Sequence, residues 1–366
     1  MSVIVPRQAE LKDRFDRTID YLRVSVTDHC NFRCVYCMPD DGFPSTPKEE
    51  VLSIEELSRI VGVAAAAGIR KVRLTGGEPL LLKGLAKLVG SISRLQTVTD
   101  LSCTTNGFLL TEKAQELKEA GLHRVNISLD TLKPERFQSI ARRGDLQKVV
   151  DGIRTAMEVG FAPVKINCVL MKGINDDEAA DFAAWTLKEE LHVRFIELMP
   201  MRWNLDETPS EFDLFSAHGG KGLLQLRQCA GDMLNDAQMR RLYVPAAEAK
   251  ASIESRFGPM EEAVVVTNGP ARSFRIPGAR GTVGFISQIS SDLCERCNRI
   301  RLTHDGFLRP CLMSDGELDL RGPLRAGASD EELAELFRTV VHQKPERHYL
   351  AEGQRVTGRG MSQIGG

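Results

Sequence analysis

The sequence predicts an α/β protein: an incomplete (β/α)6 barrel of the TIM type, followed by a smaller α+β domain. Two observations support this fold class. Residues 22–200 alternate β-rich runs with helical patterns, and several predicted strands have one polar and one apolar face. A repeated strand–helix–strand order produces a parallel sheet with crossover helices. The 366 residues are enough for such a barrel and a second, smaller domain.

The predicted elements of the barrel follow one another along the chain. The strands are 22–27, 71–75, 100–104, 123–129, 163–170 and 193–199. The helices between them are 54–67, 84–95, 112–120, 146–159 and 177–190. Six such units are compatible with either a doubly wound sheet or an incomplete barrel, and the faces of the strands distinguish the two.

Polar residues recur on one face of four predicted strands. Strands that are buried on both faces are nearly continuously apolar. Here the polar positions are Arg23, Ser25 and Thr27, then Arg73 and Thr75, Asn126 and Ser128, and Lys165 and Asn167. A recurrent polar face is expected where parallel strands line a cavity that binds a charged ligand. This pattern favours the barrel.

The loop after the first strand contains Cys30, Cys34 and Cys37, with the spacing C-x3-C-x2-C. Protein-bound four-iron clusters normally have four cysteine ligands. Three closely spaced thiolates therefore hold three irons and leave the fourth open, as a catalytic zinc site keeps one position free. Zinc sites usually pair two C-x2-C units across a longer span. The triad predicts an iron–sulfur cluster with one open iron.

A second triad, Cys294, Cys297 and Cys311, has the spacing C-x2-C-x13-C. His304 lies between its last two cysteines, so these four residues also fit a tetrahedral structural zinc site. His304 also begins a predicted hairpin turn with Asp305. Spacing alone leaves a cluster, zinc and inert thiols open, and the first triad favours the cluster. Of the remaining cysteines, two are expected in the core and one is unassigned: Cys103, Cys168 and Cys229.

The distinctive loops follow the carboxyl ends of the predicted strands, where the active sites of β/α barrels form. The first triad follows strand one, and Gly76-Gly77-Glu78-Pro79 follows strand two. Thr105-Asn106-Gly107 follows strand three, and Met199-Pro200 ends strand six. We therefore expect these segments to meet at one end of the barrel.

Composition excludes several function classes. There are 48 Lys and Arg residues against 50 Asp and Glu, a formal net charge of -2, which argues against bulk nucleic-acid binding. No run is apolar enough to span a membrane, and the N-terminus lacks the features of a signal or transit peptide. The sequence predicts a soluble, cytoplasmic protein without nucleic-acid or membrane partners.

The second half of the chain changes in pattern. We expect the barrel over 1–200, an irregular insert or connector over 201–243, a C-terminal domain carrying the second triad over 244–350 and a tail over 351–366. The predicted C-terminal helices are 246–257 and 330–340, and the strands are 263–267, 272–276, 282–288 and 300–303.

Together these motifs resemble the GTP 3′,8-cyclase family of molybdenum cofactor biosynthesis, a family of radical S-adenosylmethionine (SAM) enzymes. The first triad alone specifies only the radical SAM superfamily. The resemblance covers nearly the whole chain and becomes specific through the second triad, the Arg299-Ile300-Arg301 segment after it and the Gly365-Gly366 ending. The connector over 201–243 is longer than the family usually carries.

The resemblance implies two 4Fe–4S clusters, one on each triad, with SAM at the first and GTP facing the second. It assigns SAM binding to Tyr36, Gly77, Ser128 and Met199. It assigns GTP binding to Arg23, Arg73, Thr104, Lys165, Arg299, Ile300 and Arg301. Arg194, Arg299 and Arg301 are the expected catalytic cations, since guanidinium groups suit phosphate geometry. Gly365 and Gly366 are expected to reach into the active site.

The implied reaction is the cyclisation of GTP to (8S)-3′,8-cyclo-7,8-dihydroguanosine 5′-triphosphate, in which the cofactor carries the hard chemistry. It requires an external one-electron donor, and cyclic pyranopterin monophosphate synthase takes the product. The enzyme is expected to be a monomer or homodimer. Three alternatives compete: a radical SAM peptide-modifying enzyme with an auxiliary cluster, an iron–sulfur sensor or electron carrier, and a zinc-stabilised nucleic-acid module.

Overall fold

A computed structural model describes residues 10–199, 234, 236–265, 269–291, 293–349 and 358–365. The predicted alternation of strands and helices is confirmed in its first half. Its elements are β1 Tyr21–Ser25, α1 Ile54–Ala67, β2 Lys71–Thr75, α2 Leu85–Ser93, β3 Asp100–Thr105, α3 Leu110–Glu119, β4 Arg124–Ser128, α4 Pro134–Ala141, α5 Leu146–Glu158, β5 Val164–Leu170, α6 Ala179–Lys188 and β6 Leu191–Glu197.

The second half supplies shorter elements. They are α7 Asp236–Arg241, α8 Ala246–Phe257, β7 Glu261–Glu262, β8 Arg272–Arg275, β9 Thr282–Ile286, β10 Arg299–Leu302, β11 Phe307–Arg309, β12 Leu318–Asp319, α9 Arg321–Arg325, α10 Asp330–His342 and α11 Met361–Ile364. Among the described residues, no helix is long and apolar enough to cross a membrane.

One sheet contains all twelve strands, in the order β12-β11-β10-β1-β2-β3-β4-β5-β6-β9-β8-β7. Strands β1 to β6 are parallel neighbours. Strand β10 pairs in parallel with β1, and β9 pairs in parallel with β6. The edges of the sheet are β12 and β7, so the barrel is incomplete, as predicted. Two strands from the C-terminal half thus extend the barrel wall: β10 beside β1 and β9 beside β6.

The two faces of the barrel strands differ as the sequence predicts. The outward side chains, such as Leu22, Val72 and Ile166, are fully buried against the helices. Each such side chain contributes roughly 1.5–3 kcal/mol through burial. The inward side chains are polar, so the strands combine an apolar outer core with a polar interior.

Local signals explain why the crossover helices begin and end where they do. Ser53 caps α1 by accepting from the Glu56 N–H, and the Glu56 carboxylate accepts in return from the Ser53 N–H. Such a capping box satisfies two donors that a helix start leaves free. Gly68, at φ 131°, ends the helix. This residue adopts a backbone conformation that side chains disfavour.

Three sequence predictions need correction. Helix α4 was not expected between β4 and α5. The strand predicted over 263–267 is wrong in its described part: residues 263–265 form no strand, and Val264 is 95% exposed. The short strand β7 lies just before them and pairs with β8, and residues 266–267 lie outside the described residues. The hairpin after His304 is confirmed by the antiparallel pairing of β10 and β11. Strand β12 was not expected.

The isolated cysteines and the connector can be placed in part. Cys103 and Cys168 are buried in the main core, as predicted. Cys229 and most of the predicted connector lie outside the described residues. From the described part of the connector, Tyr243 forms an isolated bridge with Met171, beside the end of β5.

Candidate active site

The strand register places a band of cationic side chains around the barrel interior. Arg23 lies opposite Arg301 on β10 and opposite Arg73 on β2. Across the barrel, Lys165 pairs in register with Asn126 on β4, and Arg194 pairs with Asn167 on β5. The polar faces predicted from the sequence therefore meet in a single interior.

These cations are buried almost completely, which is unusual for charged side chains. Lys165 is 1% exposed and Arg194 is 2% exposed. Burial, together with repulsion by the neighbouring Arg194, lowers the pKa of Lys165 to about 6. Burial and repulsion by Arg73 lower the pKa of Arg23 to about 9 and that of Arg194 to about 9. The described barrel interior thus concentrates basic side chains that lower one another's pKa.

Several buried donors in this interior have no hydrogen-bond partner within the described structure. They are Arg73 Nη2, Thr104 Oγ1, Lys165 Nζ and Arg194 Nε. A buried donor without a partner costs about 1–3 kcal/mol, and more when it is charged. Such a set is expected where a ligand supplies the acceptors. A polyanion such as a nucleoside triphosphate fits both its charge and its donors.

The first triad lies at the carboxyl end of β1, among buried side chains. Burial raises the pKa of Cys30 to about 11 and that of Cys37 to about 12, and the adjacent Cys30 thiolate contributes to the second shift. Burial also raises the pKa of Cys34, as do Asp130 and the other two thiols. Because the thiols act on one another's pKa, the three lie near one another in the loop. They ionise when a metal supplies positive charge, so the set fits an iron–sulfur cluster.

A hydrogen-bond network around Glu78 connects the loops after β2 and β3 to this triad. The buried Glu78 carboxylate accepts from Thr105 Oγ1 at 2.7 Å, from the Asn106 N–H at 2.7 Å and from the Leu80 N–H at 3.0 Å. Asn106 Nδ2 then donates to Asn31 Oδ1 at 2.7 Å, within the triad loop. The network positions the cluster loop from two neighbouring strand ends.

The side chains expected to bind SAM lie at the same end of the barrel. The Tyr36 hydroxyl donates to Asp130 Oδ2 at 2.6 Å, and burial raises the pKa of Asp130 to about 6. The Gly77 N–H donates to the Thr27 carbonyl at 2.7 Å. A Cβ at Gly77 would lie 2.2 Å from the His29 carbonyl oxygen, so only glycine fits this close backbone approach.

Ser128 and Met199 occupy the ends of β4 and β6 respectively. Ser128 is the last residue of β4 and is half-buried. Met199 packs against a small apolar cluster that contains Met313 and Ile364, beside Cys311 of the second triad. The SAM-binding residues implied by the resemblance are therefore spread along one rim of the barrel.

Arg299 and Lys344 surround the second triad with positive charge. Burial opposes ionisation of Cys297, but Arg299 and Lys344 lower the pKa of this thiol to about 6. Lys344 is 2% exposed and donates to the Arg299 and Pro310 carbonyls, each at 2.8 Å. Arg17 donates to the Cys294 carbonyl at 2.8 Å. The chemistry of this set suits thiolates that bind a metal centre.

His304, which the sequence left open as a zinc ligand, is engaged elsewhere. Its Nε2 lies 2.8 Å from Thr46 Oγ1 and 3.2 Å from Asp28 Oδ2. The Asp28 carboxyl also accepts from the Thr46 hydroxyl at 3.0 Å. In the part of the chain that the structure describes, no three His, Cys, Asp or Glu side chains surround a single metal position.

Two cavities meet at Arg299. The larger, about 720 Å³, is lined by Tyr21, Asn298, Arg299 and residues of the loop before β8. The smaller, about 40 Å³, is lined by all three cysteines of the second triad together with Arg299 and Arg301. The larger volume lies within the range of roughly 300–1,000 Å³ that is typical of ligand pockets.

The end of the chain reaches into the barrel. The Gly365 carbonyl accepts from Arg23 Nε at 3.0 Å and from the Arg301 guanidinium. Gly365 has φ 72°, and a Cβ here would lie 2.6 Å from Thr75 Cγ2. Gly366 lies outside the described residues. The described part of the predicted tail thus lies among the cations expected to bind GTP.

Sequence reasoning and structure differ at several functional positions. Ile300 packs in the outer core of the barrel, so its side chain does not face the nucleotide-binding interior. Sequence reasoning did not identify Asp130 as a partner of Tyr36, or Arg17 and Lys344 as residues near the second triad. Of these residues, only Asp130 could have been identified from the sequence, because it continues the polar alternation of Asn126 and Ser128 on β4.

Two family models match the chain. The radical SAM superfamily matches residues 24–186, and a domain described as Molybdenum Cofactor Synthesis C matches residues 231–350. A solved structure of Streptococcus suis SuiB bound to S-adenosylmethionine is 13% identical, with a TM-score of 0.52, and the match covers 89% of this chain and 69% of that one. This likeness shows the fold alone.

Curated relatives are much more similar in sequence. GTP 3′,8-cyclase of Moorella thermoacetica is 46% identical, covering 97% of this chain and 100% of the relative. The enzyme of the same name from Heliobacterium modesticaldum is 48% identical, covering 97% of this chain and 99% of the relative. Identity over the full length excludes the peptide-modifying and non-enzymatic alternatives. The chain belongs to the GTP 3′,8-cyclase family of radical SAM enzymes, which use SAM and iron–sulfur chemistry to cyclise GTP in the first step of molybdenum cofactor biosynthesis.

Proposed function

We propose that the enzyme performs this cyclisation with two 4Fe–4S clusters, one on Cys30, Cys34 and Cys37 and one on Cys294, Cys297 and Cys311. The observation that carries the proposal is the set of buried, unpartnered donors in the barrel interior. Arg73 and Arg194 bring positive charge to this set, and Thr104 and Lys165 bring further donors, which together suit a triphosphate. The two cysteine triads lie beside this interior. The cationic surroundings of Cys297 support a metal centre at the second triad.

Tyr36, Gly77, Ser128 and Met199 are proposed to hold SAM at the first triad. Asp130 fixes the Tyr36 hydroxyl, so the ring keeps one orientation. Because the Gly77 N–H is bonded to Thr27, its carbonyl is the group that a ligand amine can use. When bound, SAM and its cluster supply the radical chemistry, while the protein supplies binding and orientation.

GTP is proposed to bind to Arg23, Arg73, Thr104, Lys165, Arg299 and Arg301, and Arg194 joins them as a catalytic cation. Arg73 Nη2, Thr104 Oγ1 and Lys165 Nζ are the donors that await acceptors. Arg299 lies between the larger cavity and the second triad, where it can hold the nucleotide against that triad. Ile300 is left out of the proposed site, because its side chain packs in the outer core.

Fixed cations of this kind favour one orientation of the bound nucleotide. Arg194 Nη2 donates to Asn126 Oδ1 at 2.9 Å and to Asn167 Oδ1, so its position is set before the substrate arrives. A preorganised donor needs no rearrangement during the reaction. The buried interior also excludes water, which strengthens each charge interaction.

The remaining assignments concern partners and organisation. An external one-electron donor supplies the reducing equivalents, and cyclic pyranopterin monophosphate synthase consumes the product. We place the enzyme in the cytoplasm, as a monomer or homodimer, because free thiols suit a reducing compartment. We propose the domain division expected from the sequence: 1–200, 201–243, 244–350 and 351–366.

The deciding experiment measures iron and sulfide per chain after anaerobic reconstitution. The wild type is compared with a variant in which Cys294, Cys297 and Cys311 are all replaced by Ala. About eight irons in the wild type and about four in the variant are expected for two four-iron clusters. Four irons with one zinc in the wild type would overturn the second cluster. GTP turnover by the wild type, followed as product formation, completes the test.

A further inference from the structure

The described tail begins with an ion-pair cluster, which we call the tail anchor: Arg359, Asp305 and Glu317. Arg359 Nη1 donates to Asp305 Oδ1 at 3.0 Å, and Nη2 donates to Asp305 Oδ2 at 2.8 Å. Arg359 Nε lies 2.7 Å from Glu317 Oε1. The Arg359 guanidinium also packs over the Phe307 ring, 5.2 Å from its centroid. All three nitrogens of this guanidinium and one of its faces are therefore in contact with the hairpin β10–β11 or the segment after it.

The tail anchor differs from an ordinary surface ion pair. Exposed pairs contribute about 0–1 kcal/mol because water screens them. Here the side chains of Arg359, Asp305 and Glu317 are only 17%, 11% and 20% exposed. The contact with Asp305 is bidentate, a geometry that adds strength and direction. Glu317 is held in turn by the buried Arg309.

The residues after the anchor contact both halves of the proposed active site. The Ser362 N–H donates to the Cys37 thiol, and Ile364 packs against Met313 near Cys311. The Gly365 carbonyl then accepts from Arg23 and Arg301. Asp305 and Glu317 themselves flank Cys311 in the sequence. The anchor therefore joins the tail to the segment that carries the last cysteine of the second triad.

The tail has little ability to hold this position by itself. Helix α11 is four residues long, and helices shorter than about 12 residues are marginal alone in water. Ordering each residue costs about 1–2 kcal/mol of conformational entropy. Among the described residues, two side chains donate hydrogen bonds to the Gly365 carbonyl, so a fixed point upstream would help to hold the tail in place.

We propose that Arg359 is a positioning residue: its ion pairs with Asp305 and Glu317 hold the chain end in the barrel and place the Gly365 carbonyl on Arg23 and Arg301. The proposal rests on the proposed function, and it adds an active-site role for the tail, inferred from the position of Gly365 among the cations expected to bind GTP. It assigns Arg359 no contact with SAM or GTP.

The test compares Arg359→Gln with Arg338→Gln in the reconstituted enzyme. Arg338 is a matched control because it also pairs with two carboxylates, Glu331 and Glu335, but on the exposed face of α10. Hydrogen–deuterium exchange is followed in peptides covering residues 358–365. Arg359→Gln is expected to raise exchange there by about tenfold or more, a change typical of local unfolding, and Arg338→Gln is expected to leave it unchanged.

Kinetics and a second pair of variants complete the design. Arg359→Gln is expected to lower kcat for GTP more than it raises KM, with iron content unchanged. Asp305→Asn and Glu317→Gln remove the carboxylates singly and are expected to give intermediate exchange rates. These two variants keep Arg359, so they test the anchor even where Arg359→Gln folds poorly.

The outcomes separate the anchor from the role of the tail. Unchanged exchange over residues 358–365 in all three anchor variants would overturn the anchor. Faster exchange with unchanged kcat and KM would support the anchor and instead overturn the active-site role proposed for the tail.

Discussion

The Gly365 carbonyl accepts a hydrogen bond from Arg23 at 3.0 Å, although the two residues are 342 positions apart in the sequence. Arg301 donates to the same oxygen. Burial lowers the pKa of both arginines. Repulsion by Arg73 contributes to the shift of Arg23, and repulsion by Arg23 contributes to that of Arg301. A neutral backbone oxygen between two buried cations reduces this repulsion only in part. The interior therefore keeps surplus positive charge for its nucleotide.

Replacing Arg301 with Lys is expected to raise KM for GTP by about tenfold or more, since an ammonium cannot reproduce the planar donor fork of a guanidinium. Steady-state kinetics at varied GTP concentration measure this change. Arg256→Lys serves as the control, because Arg256 pairs with Asp181 on the exposed surface. Equal KM values for the two variants would remove Arg301 from the nucleotide site.

Lys165 is expected to take up a proton when GTP binds. Its pKa of about 6, set by burial and by Arg194, leaves it mainly neutral in the free enzyme above that pH. A bound phosphate raises the pKa, so affinity increases as the pH falls from about 8 towards 6. Calorimetry in buffers of different ionisation enthalpy measures the uptake.

Lys165→Met is the control for this proton uptake. The GTP phosphates can also take up protons, and they do so equally with the wild type and with the variant. The variant is expected to bind GTP more weakly and to take up less of the proton. If wild type and variant take up the same amount, Lys165 does not carry the linkage.

Glu78→Gln is expected to lower both the melting temperature and the iron content of the first triad. In the variant, the amide NH2 group faces a donor that binds the Glu78 carboxylate in the wild type. Leaving such a buried donor without an acceptor lowers the stability by about 1–3 kcal/mol. The Glu78 network leads through Asn106 to Asn31 in the cysteine loop. Iron is measured in the background that lacks the second triad.

Glu178→Gln is the matched control for this prediction. The buried Glu178 accepts from Thr131 Oγ1 and the Leu132 N–H, each at 2.7 Å, much as Glu78 accepts from Thr105 and Asn106. It also accepts from Arg136 Nη1 at 2.7 Å, and none of these hydrogen bonds leads to the cysteine loop. It is expected to lower the melting temperature while iron stays constant. Similar iron loss in both variants would show that Glu78→Gln loses iron because the protein is less stable, and not because the cysteine loop is displaced.

His304→Gln is expected to leave the iron content of the enzyme unchanged. His304 is bound to Thr46 and Asp28, and we place only cysteines at the second triad. Elemental analysis after reconstitution measures the result, with Cys297→Ala as the positive control for iron loss. Zinc in the wild type that disappears in His304→Gln would restore the zinc alternative.

Much of the barrel and of the site's chemistry could be predicted from local patterns. Alternating β and helical periodicity locates β1 to β6, because each period reflects burial of one face of a single element. The cysteine spacings indicated clusters, and the polar strand faces indicated a charged ligand. Both patterns are local, because residues that are close in the sequence share one loop or one face of a strand. Helix α4 was missed because its signal is short.

The sequence by itself therefore determined the order of the barrel elements, the composition of both triads and the family. Only the tertiary structure decided which distant segments meet. It joined β9 and β10 to the barrel, turned Ile300 away from the interior, and brought Gly365 to Arg23 and Arg359 to Asp305. Contacts of this kind depend on the packing of the whole chain. A short stretch of sequence does not predict these contacts, because the local pattern around each residue is the same whether or not the distant residue is present.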